Sequence, residues 1–239
     1  VSRILVIDDE RATLNMFKML LSAYGHEVLT AENGESGIEI FDAEQPELVM
    51  TDIKMPGMDG LEVLSKIKAI SPDSEVIVIT GHGDMELAIK ALNLDATDFL
   101  NKPVKREDLE KALQLSADRR DFARKKQDDV TLSLEENLAV INVSGNLSSK
   151  SEGLLIDVFD EAMATAKSYF LLTFQEKASI NGAAMDTLYK VVEKARTKGC
   201  NVYISGLSEN FRAVLGSMGF SQMASIHETE SEARSILPL

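Results

Sequence analysis

Three aspartates stand where short β-rich runs end. RILVID closes on Asp8 with Asp9 behind it, and ELVMTD closes on Asp52. Carboxylates gathered at one place repel, and such a cluster either raises some of its own pKa values or binds a cation. Hard oxygen donors that leave room for water and phosphate suit Mg²⁺ or Mn²⁺. Two further runs finish nearby in the same sense: EVIVIT ends in Thr80 before Gly81, and TDFL is followed by Lys102 and Pro103. An acceptor oxygen, a divalent cation, a hydroxyl and an ammonium are the parts that phosphoryl transfer to a carboxylate needs, since the protein's work there is positioning and charge neutralisation. The chemistry these residues spell is an aspartyl phosphate at Asp52.

Taken singly, each residue has a plainer role. Asp8 and Asp9 would make an N-cap pair for a helix from Arg11 to Ala23, Lys102 a solvated charge, Thr80 a structural strand end and Phe99 a core aromatic. Those roles leave the convergence unexplained. Met55 and Met58 read as loop packing, His82 as a rim residue affecting phosphate lifetime and His26 as a surface residue; none reads as a metal ligand.

Convergence requires the right scaffold. From residue 1 to about 104 the runs RILVIDD, EVLTA, ELVMTD, EVIVIT and TDFL alternate with helical patterns. Leu14, Phe17, Leu20, Leu21 and Tyr24 share one helix face, and Asp59 to Ile70 and Asp84 to Asn93 carry similar stripes. Strands each followed by a crossover helix predict a doubly wound α/β unit with a five-stranded parallel sheet, whose common small form is flavodoxin-like with strand order 2-1-3-4-5 and its site beyond the carboxyl ends of strands 1 and 3. A helix is expected from about Lys105. Its apolar stripe thins past Leu115, so residues 116–129 read as a projecting helix end and linker, or alternatively as a dimerising coiled coil.

VTLSLEENLAVINVSG then reads as a β-hairpin turning at Glu135, Glu136 and Asn137. A helix (about 149–166), the strand YFLLTF, a helix (about 182–198), the strand CNVYIS, a helix near 209–218 and a last helix from Glu228 complete a smaller, mixed α/β domain. The expected division is 1–118, a helical linker at 119–129, and 130–239.

The 239 residues are 44% hydrophobic and 27% charged, with 25 Lys plus Arg against 39 Asp plus Glu and a net charge of -14. That balance argues against nucleic acid or an anionic membrane as partner. The single Cys200 cannot pair within the chain, no apolar run approaches the ~18 residues of a membrane span, and the first residues do not read as a signal peptide. Cytoplasmic residence is the expectation.

The stretches DDE, TDIKMPGMDG, TGHGD and DFLNKP resemble the signature of the receiver domain of two-component response regulators over about residues 1–120. The resemblance implies Asp52 as phosphoacceptor from a histidine kinase, Mg²⁺ held by Asp9, Asp52 and the main-chain carbonyl of Lys54, and Asp8 acting through the metal's water. It also implies Thr80, Phe99 and Lys102 as switch residues: the Thr80 hydroxyl is drawn inward by phosphate and Phe99 turns into the vacated space. Asp95 stands where the family usually has glycine; should the backbone there need a positive φ, Asp is among the less costly replacements.

No basic recognition helix, P-loop, paired Cys and His spacing or nucleophile elbow is found in the second half. Its element order and the phrases GNLS, KGCNVYISG and LGSMGF resemble the STAS domain of anti-sigma-factor antagonists over about residues 130–237. That resemblance implies docking on a serine kinase of the anti-sigma type, around a helix whose start usually carries a phosphorylatable Ser or Thr. Here Asn181, Gly182, Ala183 and Ala184 occupy that stretch, and Ala183 has no hydroxyl. Control would then have moved to Asp52, with Ser179 read as a solvated loop serine and Cys200 as a buried structural thiol. The functional expectation is a non-enzymatic, phosphorylation-switched protein-binding regulator. Alternatives are a dimerising or scaffolding regulator and a metal-dependent phosphatase.

Overall fold

The computed structural model describes residues 2–81, 83–125, 129–148, 151–175, 178–180 and 182–237, the side chains of 122–125, 129 and 183 excepted. The chain divides into two compact units, Val1–Ala117 and Asp118–Leu239.

The first unit runs β1 (Arg3–Ile7), α1 (Arg11–Ala23), β2 (Glu27–Ala31), α2 (Gly34–Glu44), β3 (Leu48–Asp52), α3 (Gly60–Ile70), β4 (Glu75–Thr80), α4 (Met85–Asn93), β5 (Asp98–Asn101) and the start of α5 (Arg106–Lys125), whose residues from Asp118 onward fall in the second unit. Its five strands are all parallel in the order β2-β1-β3-β4-β5, as the alternating runs predict. β3 and β4 are buried at every position, which is why they read as unbroken apolar stretches: helices cover both faces. The α1 stripe buries Leu14, Phe17 and Leu21 and tucks Leu20 and Tyr24 against the same core with Ile4, Val6, Met50 and Ile79. At roughly 1.5–3 kcal/mol for each fully buried large side chain, this packing holds the helix in place. Helix α5 continues to Lys125, beyond the point where its stripe thins, because Ala, Arg and Lys favour helix; it does not simply project, since Ser116, Asp118 and Arg119 are buried.

The second unit runs β6 (Asp129–Leu134), β7 (Leu138–Ser144), β8 (Asn146–Leu147), α6 (Glu152–Ala164), β9 (Tyr169–Phe174), β10 (Ser179–Ile180), α7 (Ala183–Thr197), β11 (Asn201–Ser205), α8 (Glu209–Ser217), β12 (Ala224–His227) and α9 (Glu230–Ser235). The main sheet has the order β12-β11-β9-β7-β6 and is mixed: β6 and β7 form the expected antiparallel hairpin, closed by the Glu135 N–H on the Leu138 carbonyl at 2.8 Å, and the other pairs are parallel. Edge strand β12 and the two-residue pair β8 and β10 were not expected. Ala233 on α9 and Leu237 just after it pack with Leu138, Val140 and Leu171. Arg234 forks onto Glu135 with bonds of 3.0 and 2.9 Å.

Candidate functional site

Register builds the site. Ile7 pairs with Thr51, Asp52 with Ile79 and Thr80 with Asn101, so Asp8, Asp52, Thr80 and Lys102 all arrive at the carboxyl rim of adjacent strands. One carboxylate oxygen from each of Asp8, Asp9 and Asp52 lies within 4.8 Å of the others. Asp8 is fully buried and Asp52 nearly so, whereas Asp9 is exposed. The Lys102 ammonium donates to Asp52 Oδ2 at 2.9 Å and to Asp8 Oδ2 at 3.3 Å, and the Glu10 amide donates to Asp8 Oδ1 at 2.8 Å.

Electrostatics follow from these contacts. Burial pushes the Asp8 carboxyl above the usual aspartate range, partly opposed by the Glu10 amide and Lys102. For Lys102, burial alone would lower the ammonium pKa, but the hydrogen bonds and charges of Asp52 and Asp8 outweigh it and the net shift is upward. Three carboxylates stand around one ammonium that bonds to only two of them, Asp8 and Asp52, an excess of negative charge on hard oxygen donors that fits a divalent cation. Asp8 and Asp9 do not cap α1: its N-cap is Glu10, whose side chain makes no capping bond, and Asp8 binds the Glu10 amide ahead of the helix. The capping role is thereby replaced by the rim role.

Thr80 is buried and its Oγ1 has no hydrogen-bond partner among the described residues. An orphaned buried hydroxyl costs about 1–3 kcal/mol, and it stands on the rim where an oxyanion would accept its proton. Phe99, opposite Val78 on β5, is 1% exposed. Its ring is thus already inside in this structure, with no solvent-exposed starting position to leave. The Lys54 side chain is exposed and pairs with Asp84 at 2.7 Å; its main-chain carbonyl lies on the loop leaving β3. His82 lies outside the described residues. Met55 is buried, and Met58 packs where a Cβ on Gly34 would stand, 2.8 Å away, so both are loop packing as expected. His26 is half-buried rather than on the surface, its Nδ1 accepting from the Ser2 amide at 3.4 Å. Asp95 does adopt a positive φ of 64°.

Gly60 belongs to the site although its type alone does not announce it. A Cβ there would fall 2.1 Å from the Asp52 carbonyl oxygen, and the Gly60 amide donates to the Ile53 carbonyl at 2.9 Å. The start of α3, fixed by an Asp59 and Glu62 capping box, therefore rests directly on the backbone of the central aspartate. The only sequence signal for it was its place in TDIKMPGMDG.

The response regulator receiver domain model matches residues 4–114, and the STAS domain model matches residues 129–233. A receiver domain protein from Clostridium thermocellum of known crystal structure is 41% identical, covering 52% of this chain and 99% of its own, with a TM-score of 0.50. The chain belongs to the response regulator receiver family, with a STAS domain following. Among curated proteins it is similar to the transcriptional regulatory protein GlrR of Escherichia coli (strain K12), 32% identical over 112 residues, 47% of this chain and 25% of that one. It is also similar to the uncharacterized transcriptional regulatory protein YesN of Bacillus subtilis (strain 168), 32% identical over 195 residues, 78% of this chain and 52% of that one. The chain thus spans between a quarter and about half of the length of these two relatives.

In the STAS unit, α7 begins at Ala183 after Gly182, whose φ of 57° and ψ of -147° suit glycine. Asn181 and the Ala183 side chain lie outside the described residues. Ser179 is not a solvated loop serine: it sits in β10, fully buried, and its hydroxyl donates to Asn146 Oδ1 at 2.7 Å. Cys200 is half-buried with its thiol pKa pushed up by burial, the opposite of what a reactive thiolate needs. Among the described residues no helix is long and apolar enough to cross a membrane.

Proposed function

We propose that the receiver domain accepts a phosphoryl group on Asp52 from a histidine kinase, and that the modification switches protein binding by the STAS domain. The observation that carries this is the pairing of Lys102 with Asp52 and Asp8 beside the exposed carboxylate of Asp9. A carboxylate oxygen of Asp52 attacks phosphorus in line; the O–P bond forms as the donor's N–P bond breaks, its electron pair leaving with the imidazole. Asp9, Asp52 and the Lys54 carbonyl would hold a divalent cation such as Mg²⁺ or Mn²⁺, with Asp8 acting through the metal's water, and the ion would supply charge neutralisation for the phosphoryl oxygens. Lys102 holds one of those oxygens with its ammonium, and Thr80 brings its unpartnered hydroxyl to another. Phosphate contributes only its preference for the active arrangement, and moving a population from 1:99 to 99:1 takes about 5.5 kcal/mol.

The output is binding rather than catalysis. The STAS partner is a serine kinase or anti-sigma-type protein docking around Asn181, Gly182 and Ala183, and the functional division is 1–118, 119–129 and 130–239. The absence of a hydroxyl at Ala183 supports control from Asp52 in place of a local serine phosphate.

Incubation with Mg²⁺ and a small acyl phosphate should add one acid-labile phosphate to the chain and none to Asp52→Ala. Capture of a kinase-type partner should differ between the two forms. Steady turnover of a phosphomonoester would replace this reading with a phosphatase, and phosphate-dependent self-association without partner capture would replace it with a scaffold. Ala183→Ser should make the STAS domain a substrate for a serine kinase partner.

A further inference from the structure

Lys54 lies two residues past Asp52 at the end of β3, and Asp84 lies four residues past Thr80 at the end of the neighbouring strand β4. Their side chains meet at 2.7 Å, so an ion pair joins the two loops that flank the phosphoacceptor. Asp84 is also the N-cap of α4, yet its carboxylate makes no capping hydrogen bond, and its backbone, at φ -86° and ψ 41°, is outside the extended region a capping residue uses. Aspartate is among the best N-cap residues, and this one faces Lys54 instead.

The carboxylate is packed against the switch. A Cβ on Gly81 would fall 2.9 Å from Asp84 Oδ2, and the Asp84 amide donates to the Gly81 carbonyl at 3.3 Å. Gly81 directly follows Thr80, whose buried hydroxyl has no partner, so an inward pull on Thr80 moves the residue on which this carboxylate rests.

We infer that Asp84 is a two-position residue that reports the state of Asp52: paired with Lys54 across the mouth before phosphorylation, and turned to cap α4 after it. This rests on Asp52 accepting the phosphoryl group as proposed above. Converting the Asp52 carboxylate, with one negative charge, into an acyl phosphate with nearly two adds about one negative charge at the mouth, which attracts the Lys54 ammonium and repels the Asp84 carboxylate, so both halves of the pair favour separation. The released carboxylate then accepts from a first-turn amide of α4, which orders the start of that helix. Asp84 is thus a positioning residue, acting on α4 and on Thr80 without touching the reacting atoms. Since the Lys54 side chain is 65% exposed and that of Asp84 24%, the pair biases the equilibrium by roughly two- to five-fold, the range of surface ion pairs.

The test is hydrogen exchange by NMR on the full chain, read at the amides of Glu86 and Leu87. Without phosphate, Lys54→Met should raise protection at Glu86 about two- to five-fold. Lys54→Arg should keep the wild-type value, and adding Asp84→Ala to Lys54→Met should remove the gain. Phosphorylated wild type should show the gain of Lys54→Met. No change at Glu86 in Lys54→Met, or a gain that persists in the double variant, overturns the inference. A wild type that takes up no phosphate refutes the Asp52 reading, whereas a phosphorylated wild type with unchanged Glu86 refutes the two-position role alone.

Discussion

The rim of the receiver sheet is where a phosphoryl group would act and the start of α7 in the STAS domain is where a partner would dock, and the polar groups of the two places are paired differently. At the rim, two buried carboxylates share one ammonium and a buried threonine hydroxyl has no partner. Near α7, the buried Ser179 hydroxyl is satisfied by Asn146, and Thr187 donates to Glu152 at 3.0 Å. Unsatisfied groups store free energy that a ligand can release, whereas satisfied ones only hold the fold. The contrast supports chemistry at the first place and recognition at the second.

The largest test of this contrast is covalent. Asp52→Asn should lower phosphate incorporation at least 100-fold, while Ser179→Ala should leave it unchanged; intact-mass spectrometry after acyl phosphate treatment reads both. In stability the order is expected to reverse. Ser179→Ala removes the hydrogen bond of the buried Ser179 hydroxyl to Asn146 Oδ1 and should cost about 0.5–1.5 kcal/mol in urea unfolding.

Asp8→Asn should instead stabilise the metal-free receiver by roughly 1–2 kcal/mol at neutral pH, since it removes one of two buried charges competing for Lys102. Mg²⁺ at 100 times its Kd should stabilise the wild type by about 2.7 kcal/mol and do much less for Asp8→Asn, as thermal melts with and without chelator will show.

The two units should also answer pH in opposite directions. The Asp8 carboxyl is raised by burial, so its contribution to stability is fully present below the ordinary aspartate pKa and is lost as pH rises through the folded value. Glu135 is lowered, chiefly by its hydrogen bonds from Arg234. Its contribution is present above the ordinary glutamate pKa and is lost as pH falls through the folded value. The smallest expected effect is therefore Arg234→Lys, under about 1 kcal/mol and vanishing in acid, followed by unfolding across a pH series.

Much of the receiver was legible because its signals are local and periodic. Buried parallel strands read as apolar runs, crossover helices as stripes, and strand-end residues fall at one rim once the strand order is known. What escaped depends on approach through space. Gly60 matters because α3 touches the Asp52 carbonyl, and the Lys54 pairing with Asp84 because two loops meet; neither leaves a spacing to find. In the STAS domain, β12 was missed because ASIH buries only Ala224 and shows no alternation. Ser179 was misread for a related reason: a two-residue strand has no period, and its burial comes from pairing with β8.

Gly60 has one more consequence. With α3 seated against the Asp52 carbonyl, the backbone beneath the reacting carboxylate has no room to recoil on that side when phosphorus arrives. If Asp52 takes the phosphoryl group as proposed, the site would have one fixed jaw, and strain from the new bond would be turned towards the glycine-bearing loop after β4, which would give the signal its heading.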